Sequence, residues 1–573
     1  MYRLLDLFAG AGGMSLGFLQ TKRFDIAVAV EKNDNAKATY ERNHEHTTVL
    51  SDILDITDYK SFKSTYGEFD VVVGGPPCQG FSNANRQKNH IISQNNSLVK
   101  KYVEVILNLQ PKAFVMENVR MLKSDVHRFY CTNNDGMEFE RLGITTRNET
   151  IYLLDTECPV ADVEEYLFNS KVLDELILSD KVFYLLRMLL KNSSKEESRE
   201  KALKEKAKQC IKYIAGLPQR SSDVSKAYIE FEQEALNAFI KYAGEEIVFK
   251  EAVRPMMNYI NFQRMLMHAK ELLDNNIAVH SLKREPKSVQ VEVRSYSVID
   301  YINKRLGECY DIDADVLNAA WFGAPQLRER YIAMGILKKL NVKPELPKRE
   351  FEETEYRTVY DAIKDLETVP PVFSTEDAPI QLADEFLETK LTSQLRNTST
   401  LSNHIVTETR ETAKKRFEAL GQGQNFHDLD RSLIEDTYTS PERTQNSIYL
   451  RLNYEKSCGT VTNVRKSMWI HPTIHRAISI REAARLQSFP DDFVFIGTKD
   501  SQYQQVGNAV PPIMAHAIAA KLAKLLDACN VSSNLQGGIA DGGYADDRAT
   551  KQDDVEDKSQ EYNARNDRQE VSA

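Results

Sequence analysis

The chain has 573 residues, of which 42% are hydrophobic and 28% are charged, and its formal net charge is −10. This is the composition of an ordinary soluble protein of three or four domains, and the absence of an apolar run of about 18 residues argues against a membrane span. Seven scattered cysteines without a C-x-x-C pair argue against a disulfide framework or a structural zinc site and predict a reducing cytosol.

Strands and helices alternate in the first 125 residues, which is typical of a doubly wound α/β fold with a parallel sheet. The same alternation returns after residue 295, and residues 125–294 between them are rich in Lys, Glu and Leu with a helical periodicity. Strands are predicted at 3–7, 26–30, 48–50, 71–73, 113–116, 312–317 and 330–336, and helices from about 13, at 36–42, near 98–109 and at 298–306.

A glycine-rich turn follows the first predicted strand, in the sequence Asp6-Leu-Phe-Ala-Gly-Ala-Gly-Gly13. Glu31 closes the second strand about 20 positions later, where this fold places a ribose-binding carboxylate. Asp52 follows the third strand and is a candidate contact for an adenine amino group. Since the turn lacks a strict G-x-G-x-x-G pattern, a nucleoside without phosphates, such as S-adenosylmethionine, fits it at least as well as a dinucleotide.

A single cysteine, Cys78, follows the fourth strand in the sequence Gly74-Gly-Pro-Pro-Cys-Gln-Gly-Phe-Ser82. Two glycines allow a sharp turn and two prolines stiffen it, so the loop predicts a nucleophilic thiol held at a fixed position. The alternative is a tight loop with an incidentally buried cysteine. Glu117 ends the next strand and is therefore expected at the same edge of the sheet.

Six blocks in order resemble the DNA (cytosine-5) methyltransferase family of bacterial restriction–modification systems. The resemblance covers about half of the chain and implies a Rossmann-like, S-adenosylmethionine-dependent catalytic sheet with a smaller target-recognition domain. The blocks are the turn at 8–12, Pro76-Pro-Cys-Gln79, Glu117-Asn-Val119, Gln326-Leu-Arg-Glu-Arg330, Arg481-Glu-Ala-Ala-Arg-Leu-Gln-Ser-Phe-Pro490 and Gln505-Val-Gly-Asn-Ala-Val-Pro-Pro512.

The resemblance implies that the Cys78 thiolate adds to C6 of a flipped-out cytosine, assisted by Glu117 at N3. Arg330 would contact the base O2, and Arg328 would brace the cysteine loop and Glu117. Ser82 and Arg86 would contact DNA phosphates; the alternative for Arg86 is a solvated polar loop. The implied cofactor contacts are Phe8, Gly10, Gly12, Glu31, Asp52, Pro77, Asn508 and Val510, and no metal is implied.

The resemblance also divides the chain, because contacts to the cofactor after residue 500 require a discontinuous catalytic domain. The target-recognition domain would contain polar candidates for base contacts, including Asn403, His404 and Arg451, although ordinary surface positions are the alternative for each. The predicted parts are a catalytic domain in three pieces (1–124, 295–337 and 476–530), a helix-rich insertion (125–294), the target-recognition domain (338–475) and a disordered acidic tail (531–573).

The predicted function is methylation of cytosine C5 in duplex DNA, in the cytoplasm and associated with the nucleoid. The enzyme would either act beside a separate cognate restriction endonuclease or be solitary. A tRNA cytosine-5 methyltransferase and a non-catalytic DNA-binding regulator are the alternatives. The negative total charge does not exclude a nucleic-acid partner, because residues 451–490 carry seven Lys and Arg against two Asp and Glu.

Overall fold

The computed structural model describes residues 1–77, 95–123, 128–191, 196–435, 438 and 441–537. The predicted nucleophile Cys78, the predicted DNA contacts Ser82 and Arg86, and the chain after residue 537 lie outside these residues.

The first part of the chain alternates strands and helices, and the predicted elements are confirmed. Helix α3 was not predicted, although Asp58 marks its start by accepting hydrogen bonds from the backbone N–H groups of Lys60 and Ser61. The elements are β1 (Tyr2–Leu7), α1 (Gly13–Gln20), β2 (Phe24–Val30), α2 (Asp34–Asn43), β3 (Thr48–Leu50), α3 (Tyr59–Tyr66), β4 (Val71–Gly74), α4 (Asn95–Leu109) and β5 (Ala113–Val119).

The next segment contains the expected helices and also an antiparallel sheet that was not predicted. Strand β9 pairs with β7 along one edge and with β6 and β8 along the other. The alternation of buried valines in β9 spans few residues and is hidden by the Lys- and Glu-rich helices around it. The elements are β6 (Arg128–Tyr130), α5 (Gly136–Leu142), β7 (Thr146–Leu154), α6 (Ser170–Leu176), α7 (Asp180–Lys191), α8 (Glu196–Ala215), α9 (Lys226–Ala243), α10 (Phe249–Asp274), β8 (Val279–Glu285) and β9 (Ser288–Ser297).

Helix α11 (Val298–Gly307) and strands β10 (Tyr310–Asn318) and β11 (Glu329–Leu337) complete a seven-stranded sheet of order β10-β11-β5-β4-β1-β2-β3. The predicted doubly wound fold is confirmed. One strand differs from the expected parallel arrangement, because β11 is antiparallel to both β5 and β10. The connection at 319–328 is shorter than the crossover of about a dozen residues or more that a parallel pair requires.

Side chains alternate between the two faces of this sheet, as the two-residue period of a strand requires. On one face Val72 packs in a core that also contains Val103 of α4. On the other face Val71 and Val73 pack in a core that also contains Met514 of the C-terminal helix. Both faces are covered, which explains the continuous apolar runs in the sequence.

The remaining elements are short until the last two helices. The predicted boundary after residue 530 falls inside α18, and the boundary after residue 294 falls inside β9. The elements are α12 (Val359–Ile363), β12 (Ile380–Gln381), α13 (Thr392–Leu395), β13 (Thr400–Leu401), α14 (Glu411–Glu418), α15 (Val464–Ser467), α16 (Ile480–Leu486), α17 (Lys499–Asn508) and α18 (Pro512–Gly537).

Helix α18 returns to the beginning of the chain and packs against α1. A Cβ atom at Gly17 would lie 2.5 Å from Ala515 Cβ and 2.7 Å from His516 N, so this close approach requires glycine. Within the described part of the chain, the helical stretch Lys499–Cys529 is long and apolar enough to cross a membrane, but 67% of its apolar window is buried inside the fold. Its α18 part packs in the core that covers one face of the sheet.

Candidate active site

A carboxylate and a guanidinium meet at the end of β5. Arg330 Nε lies 2.8 Å from Glu117 Oε1, and only 13% of each side chain is exposed. The two residues lie on neighbouring antiparallel strands, since Arg330 pairs in register with Val119. Burial raises the pKa of the Glu117 carboxyl, and the positive charges of Arg330 and Arg328 oppose this shift.

The chain that leads to Cys78 is fixed against this pair. A Cβ atom at Gly75 would lie 2.9 Å from Glu117 Oε2, so the backbone at Gly75 passes close to the carboxylate. Asn118 Nδ2 donates a hydrogen bond to the Pro76 carbonyl oxygen at 2.9 Å. The half-buried Pro77 follows and is the last described residue before Cys78.

Arg328 is completely buried and connects the sheet to the C-terminal part of the chain. Its Nη1 donates to the Val461 carbonyl at 2.7 Å and its Nη2 to the Gly507 carbonyl at 2.9 Å. Burial lowers the pKa of the Arg328 guanidinium, as does the neighbouring positive charge of Arg330. These bonds join the start of β11 to the predicted recognition region and to α17.

Glu31, the predicted ribose-binding carboxylate, accepts two backbone hydrogen bonds beside the glycine-rich turn that follows β1. Gly10 N donates to Glu31 Oε2 at 2.8 Å, and Asn33 N donates to Glu31 Oε1 at 2.7 Å. Phe8 and Gly12 have positive φ angles of 60° and 96°, which turn the chain sharply from the strand into α1. The space beside Gly10 is open to 4 Å, and each Glu31 oxygen keeps a free lone pair for a ligand hydroxyl.

Asp52, the second predicted cofactor carboxylate, has a charged partner. Asp52 Oδ2 lies 2.7 Å from Lys32 Nζ, and this hydrogen bond lowers the pKa of the Asp52 carboxyl. Asp52 Oδ1 accepts a hydrogen bond from Leu54 N at 3.0 Å. A ligand amino group at this position therefore has to share the carboxylate with Lys32.

A buried polar network that was not predicted connects β1, α1 and α2 on either side of the glycine-rich turn. Ser15 Oγ donates to Asp6 Oδ2 at 2.5 Å and contacts the Tyr40 hydroxyl at 2.7 Å. Burial raises the pKa of the Asp6 carboxyl to about 7. No sequence motif identifies this network, because its members come from β1, α1 and α2.

The two predicted cofactor contacts after residue 500 lie near the turn. Gly13 packs against the Ala509–Val510 backbone, because a Cβ atom at Gly13 would lie 2.5 Å from the Val510 carbonyl oxygen. Asn508 is exposed, and its Oδ1 accepts a hydrogen bond from Gln504 Nε2 at 2.8 Å. The structure thus brings the two ends of the catalytic sequence together.

Several polar residues considered for base contacts have internal roles instead. Arg451 is 2% exposed and donates to the backbone carbonyls of Phe417, Leu420 and His471. His404 is buried between Val369 O and Ser479 Oγ, at 3.0 and 2.9 Å. Asn403 Oδ1 accepts a hydrogen bond from Phe495 N at 2.9 Å.

No group of three or more His, Cys, Asp or Glu side chains in the described ranges is placed to hold a metal ion.

Comparison with known proteins identifies relatives along nearly the whole chain. The family profile of C-5 cytosine-specific DNA methylases matches residues 2–154 and 291–524. The type II methyltransferase M.DdeI of Desulfomicrobium norvegicum is 23% identical over 544 residues, which cover 92% of this chain and 90% of that protein. M1.HphI of Haemophilus parahaemolyticus is 26% identical, with 91% of this chain and 86% of that protein covered.

A shorter relative and a solved structure complete the comparison. M.HgiGI of Herpetosiphon aurantiacus is 37% identical over 127 residues, which cover 22% of this chain and 98% of that protein. The crystal structure of a protein described as a DNA modification methyltransferase encoded within an E. coli prophage superimposes with a TM-score of 0.51 at 19% identity. It covers 92% of this chain and 100% of that one.

Proposed function

The chain belongs to the C-5 cytosine-specific DNA methylase family and is a DNA (cytosine-5-)-methyltransferase, and on this premise we propose a covalent mechanism centred on Cys78 and Glu117. The observation that carries the proposal is the placement of Gly75 against Glu117 and of Pro76 against Asn118, because these residues precede Cys78 in the chain and lie beside the carboxylate. Pro77 leads directly from this contact to Cys78.

Cytosine C5 is too weak a nucleophile to attack a methyl group unaided. In the proposed reaction the Cys78 sulfur forms a bond to C6, and the ring electron pair then becomes available at C5. After C5 has taken the methyl group, loss of the C5 proton and cleavage of the C6–S bond restore the aromatic ring and the thiolate. Cys78 is thus regenerated in each turnover.

Glu117 and Arg330 would control the charge on the base during this addition. Negative charge develops on the ring as sulfur adds, and a proton held by Glu117 at N3 relieves it. The burial that raises the pKa of Glu117 supports this role. Arg330, which orients Glu117 through a 2.8 Å contact, would also donate to the base O2. Arg328 would hold the start of β11, and with it Arg330, in place through its hydrogen bonds to the carbonyls of Val461 and Gly507.

The turn at Phe8–Gly12 fits S-adenosylmethionine, which the family uses in general. When bound, this cofactor supplies an electrophilic methyl group on a positively charged sulfur. Glu31 would accept hydrogen bonds from the ribose, since both of its oxygens keep acceptor capacity beside the turn. The other proposed contacts are Phe8, Gly10, Gly12, Asp52, Pro77, Asn508 and Val510.

The DNA substrate would be bound with its target cytosine turned out of the helix, because C6 is inaccessible inside the base stack. Ser82 and Arg86 would contact the phosphates, and residues 338–475 would recognise the sequence. The proposed setting is the cytoplasm at the nucleoid, where the enzyme would act beside a separate cognate endonuclease or be solitary. The two-part match of the family profile supports a discontinuous catalytic domain.

Covalent trapping tests this mechanism. A duplex with 5-fluorocytosine at the target position should form a stable adduct with the enzyme and S-adenosylmethionine, because fluorine at C5 cannot leave as a proton does. The expected result is a DNA mass shift on the peptide that contains Cys78. Methyl transfer without an adduct, or an adduct on another residue, would contradict the mechanism.

A further inference from the structure

Lys100 lies near the beginning of α4, with its ammonium group against one carboxylate and three aromatic rings. Its Nζ lies 2.5 Å from Asp135 Oδ1, and Asp135 is 5% exposed. Such a position combines a largely desolvated ion pair with cation–π attraction. The ring centroids lie 5.7–5.9 Å from Nζ and belong to Phe139, Tyr296 and Tyr301.

The residues around Lys100 come from both sides of the segment that the family profile does not match. Asp135 and Phe139 precede residues 155–290, and Tyr296 and Tyr301 follow them. The same rings also pack on one another, with the Phe139 and Tyr296 centroids 4.6 Å apart. Strands β7 and β9 are paired where they carry the chain out to this segment and back. The residues around Lys100 therefore lie at the junction where the chain leaves the catalytic sheet for residues 155–290 and returns from them, and residues 155–290 are called the insertion from here on.

Helix α4 connects this junction to the candidate active site. It leads from the carboxyl end of β4 to the start of β5, so its first turns lie at the edge that carries Glu117. Tyr102 Oη donates to the Val115 carbonyl of β5 at 3.0 Å. A Cβ atom at Gly74 would lie 2.9 Å from the Tyr102 ring. A displacement of α4 would thus act on Gly74 at the end of β4 and on Val115 within β5, which lie two residues before Pro76 and Glu117 respectively.

We infer that Lys100 is a positioning residue, through which the insertion fixes α4 against the catalytic edge. The inference rests on the methyl transfer proposed above. It assigns to the junction of the insertion a role in the turnover rate, and it does not require the insertion to contact DNA. A charge at position 100 and the carboxylate of Asp135 are the two features that this role needs.

The test compares K100M with K100R and with the matched control K101M in the full-length enzyme. Lys101 is the next residue on α4, and its Nζ pairs with the half-exposed Glu104 at 3.0 Å. The measurements are kcat, KM for S-adenosylmethionine, KM for DNA and the melting temperature Tm. Wild-type methyl transfer is measured first, because its absence would refute the proposed function rather than this inference.

We expect K100M to lower kcat by about tenfold or more, since small displacements of catalytic groups are costly. KM for S-adenosylmethionine should change less than about twofold, and K100R should recover most of the rate, as should the reciprocal pair K100D/D135K in part. K101M removes a lysine that is 10% exposed, pairs with Glu104 and lies 5.2 Å from the Tyr59 ring centroid, so it controls for the loss of a buried lysine from α4 and should keep the wild-type kcat. The inference is overturned if K100M turns over at the K101M rate, or if kcat falls only at temperatures where Tm shows unfolding.

Discussion

Arg330 and Glu117 form an ion pair of 2.8 Å across the antiparallel β11–β5 junction, and this pair depends on the reversed direction of β11. A parallel strand at this place would bring its carboxyl end to the catalytic edge. Because β11 begins at that edge, Arg330 in the strand and Arg328 just before it lie where β5 approaches its end, at Glu117.

Replacement of Glu117 should stop methyl transfer and leave the fold intact. E117Q keeps the size of the side chain but removes its proton donor, and we expect the rate to fall by about 10²- to 10⁴-fold. The measurement is single-turnover methyl transfer with saturating cofactor. E329Q is the control, because Glu329 directly precedes Arg330 in the chain, is partly exposed and pairs with Arg120 at 2.5 Å. Equal rates for E117Q and wild type would exclude Glu117 from the chemistry.

Replacement of Glu31 should weaken the binding of the cofactor and leave the binding of DNA unchanged. E31Q loses one charged acceptor beside Gly10, so we expect the dissociation constant for S-adenosylmethionine to rise about tenfold, or about 1.4 kcal/mol. Calorimetric titration measures this value, and KM for DNA should stay constant. D34N is the matched control, because Asp34 is exposed in the first turn of α2. A weaker affinity for DNA in E31Q would contradict the assignment.

The contact between α1 and α18 should be intolerant of a single methyl group. G17A places its Cβ 2.5 Å from Ala515 Cβ, and we expect a loss of about 1–3 kcal/mol in the free energy of unfolding. G307A, in α11, meets no atom within 4 Å and should leave the stability unchanged or slightly higher. Urea unfolding compares the two variants. Equal stabilities would mean that α18 does not pack on α1 as described.

Two buried histidines make the stability depend on pH. Burial lowers the pKa of His44 and of His471 to about 4, compared with about 6.5 in an unfolded chain. Between these values the unfolded state binds more protons, so the contribution of the two histidines to stability is complete above pH 6.5 and falls as the pH is lowered toward 4. Each histidine contributes up to about 3 kcal/mol to this loss.

The buried Asp6 acts in the opposite direction. Its pKa of about 7 exceeds the unfolded value, so the folded state holds this proton and loses stability as the pH rises toward 7.

The histidine contribution is tested with H471Q, whose chemical unfolding should show a shallower loss of stability below pH 6.5 than wild type. H427Q is the control, because His427 is exposed. An unchanged slope in H471Q would show that His471 is not the buried neutral group described.

Arg451 should stabilise the recognition region without reading bases. R451M leaves the carbonyls of Leu420 and His471 without their buried donor, and we expect a loss of about 3 kcal/mol in the free energy of unfolding. K466M is the control, because the Lys466 side chain is 67% exposed. If R451M keeps the wild-type Tm but methylates a different target sequence, Arg451 contacts bases and the structural role is wrong.

The sequence predicted the catalytic sheet because its signals are local. The apolar run before Gly74 and the turn around Gly10 each lie within one strand–turn–helix unit, so the periodicity and turn residues identify them. Glu117 and Glu31 could be placed at one edge because parallel strands share their carboxyl ends. The return of α18 followed from the resemblance and not from a local pattern.

The features that were missed depend on long-range packing. Arg451 and an exposed base reader have the same sequence signature, and only the surrounding carbonyls distinguish them. The partners of Lys100 are separated from it by 35 residues at Asp135 and by about 200 at Tyr296, so no spacing rule connects them. The direction of β11 likewise depends on the length of one connection.

Transfer of a tritiated methyl group from S-adenosylmethionine to unmethylated genomic DNA, with tRNA as a parallel substrate, tests directly whether this enzyme methylates DNA through Cys78. Wild type is compared with C78S. We predict label in DNA as 5-methylcytosine, none in tRNA and none with C78S. Label in tRNA alone would contradict the DNA substrate, and undiminished transfer by C78S would contradict the covalent mechanism. Bound cofactor without transfer to either nucleic acid would instead support a non-catalytic DNA-binding regulator.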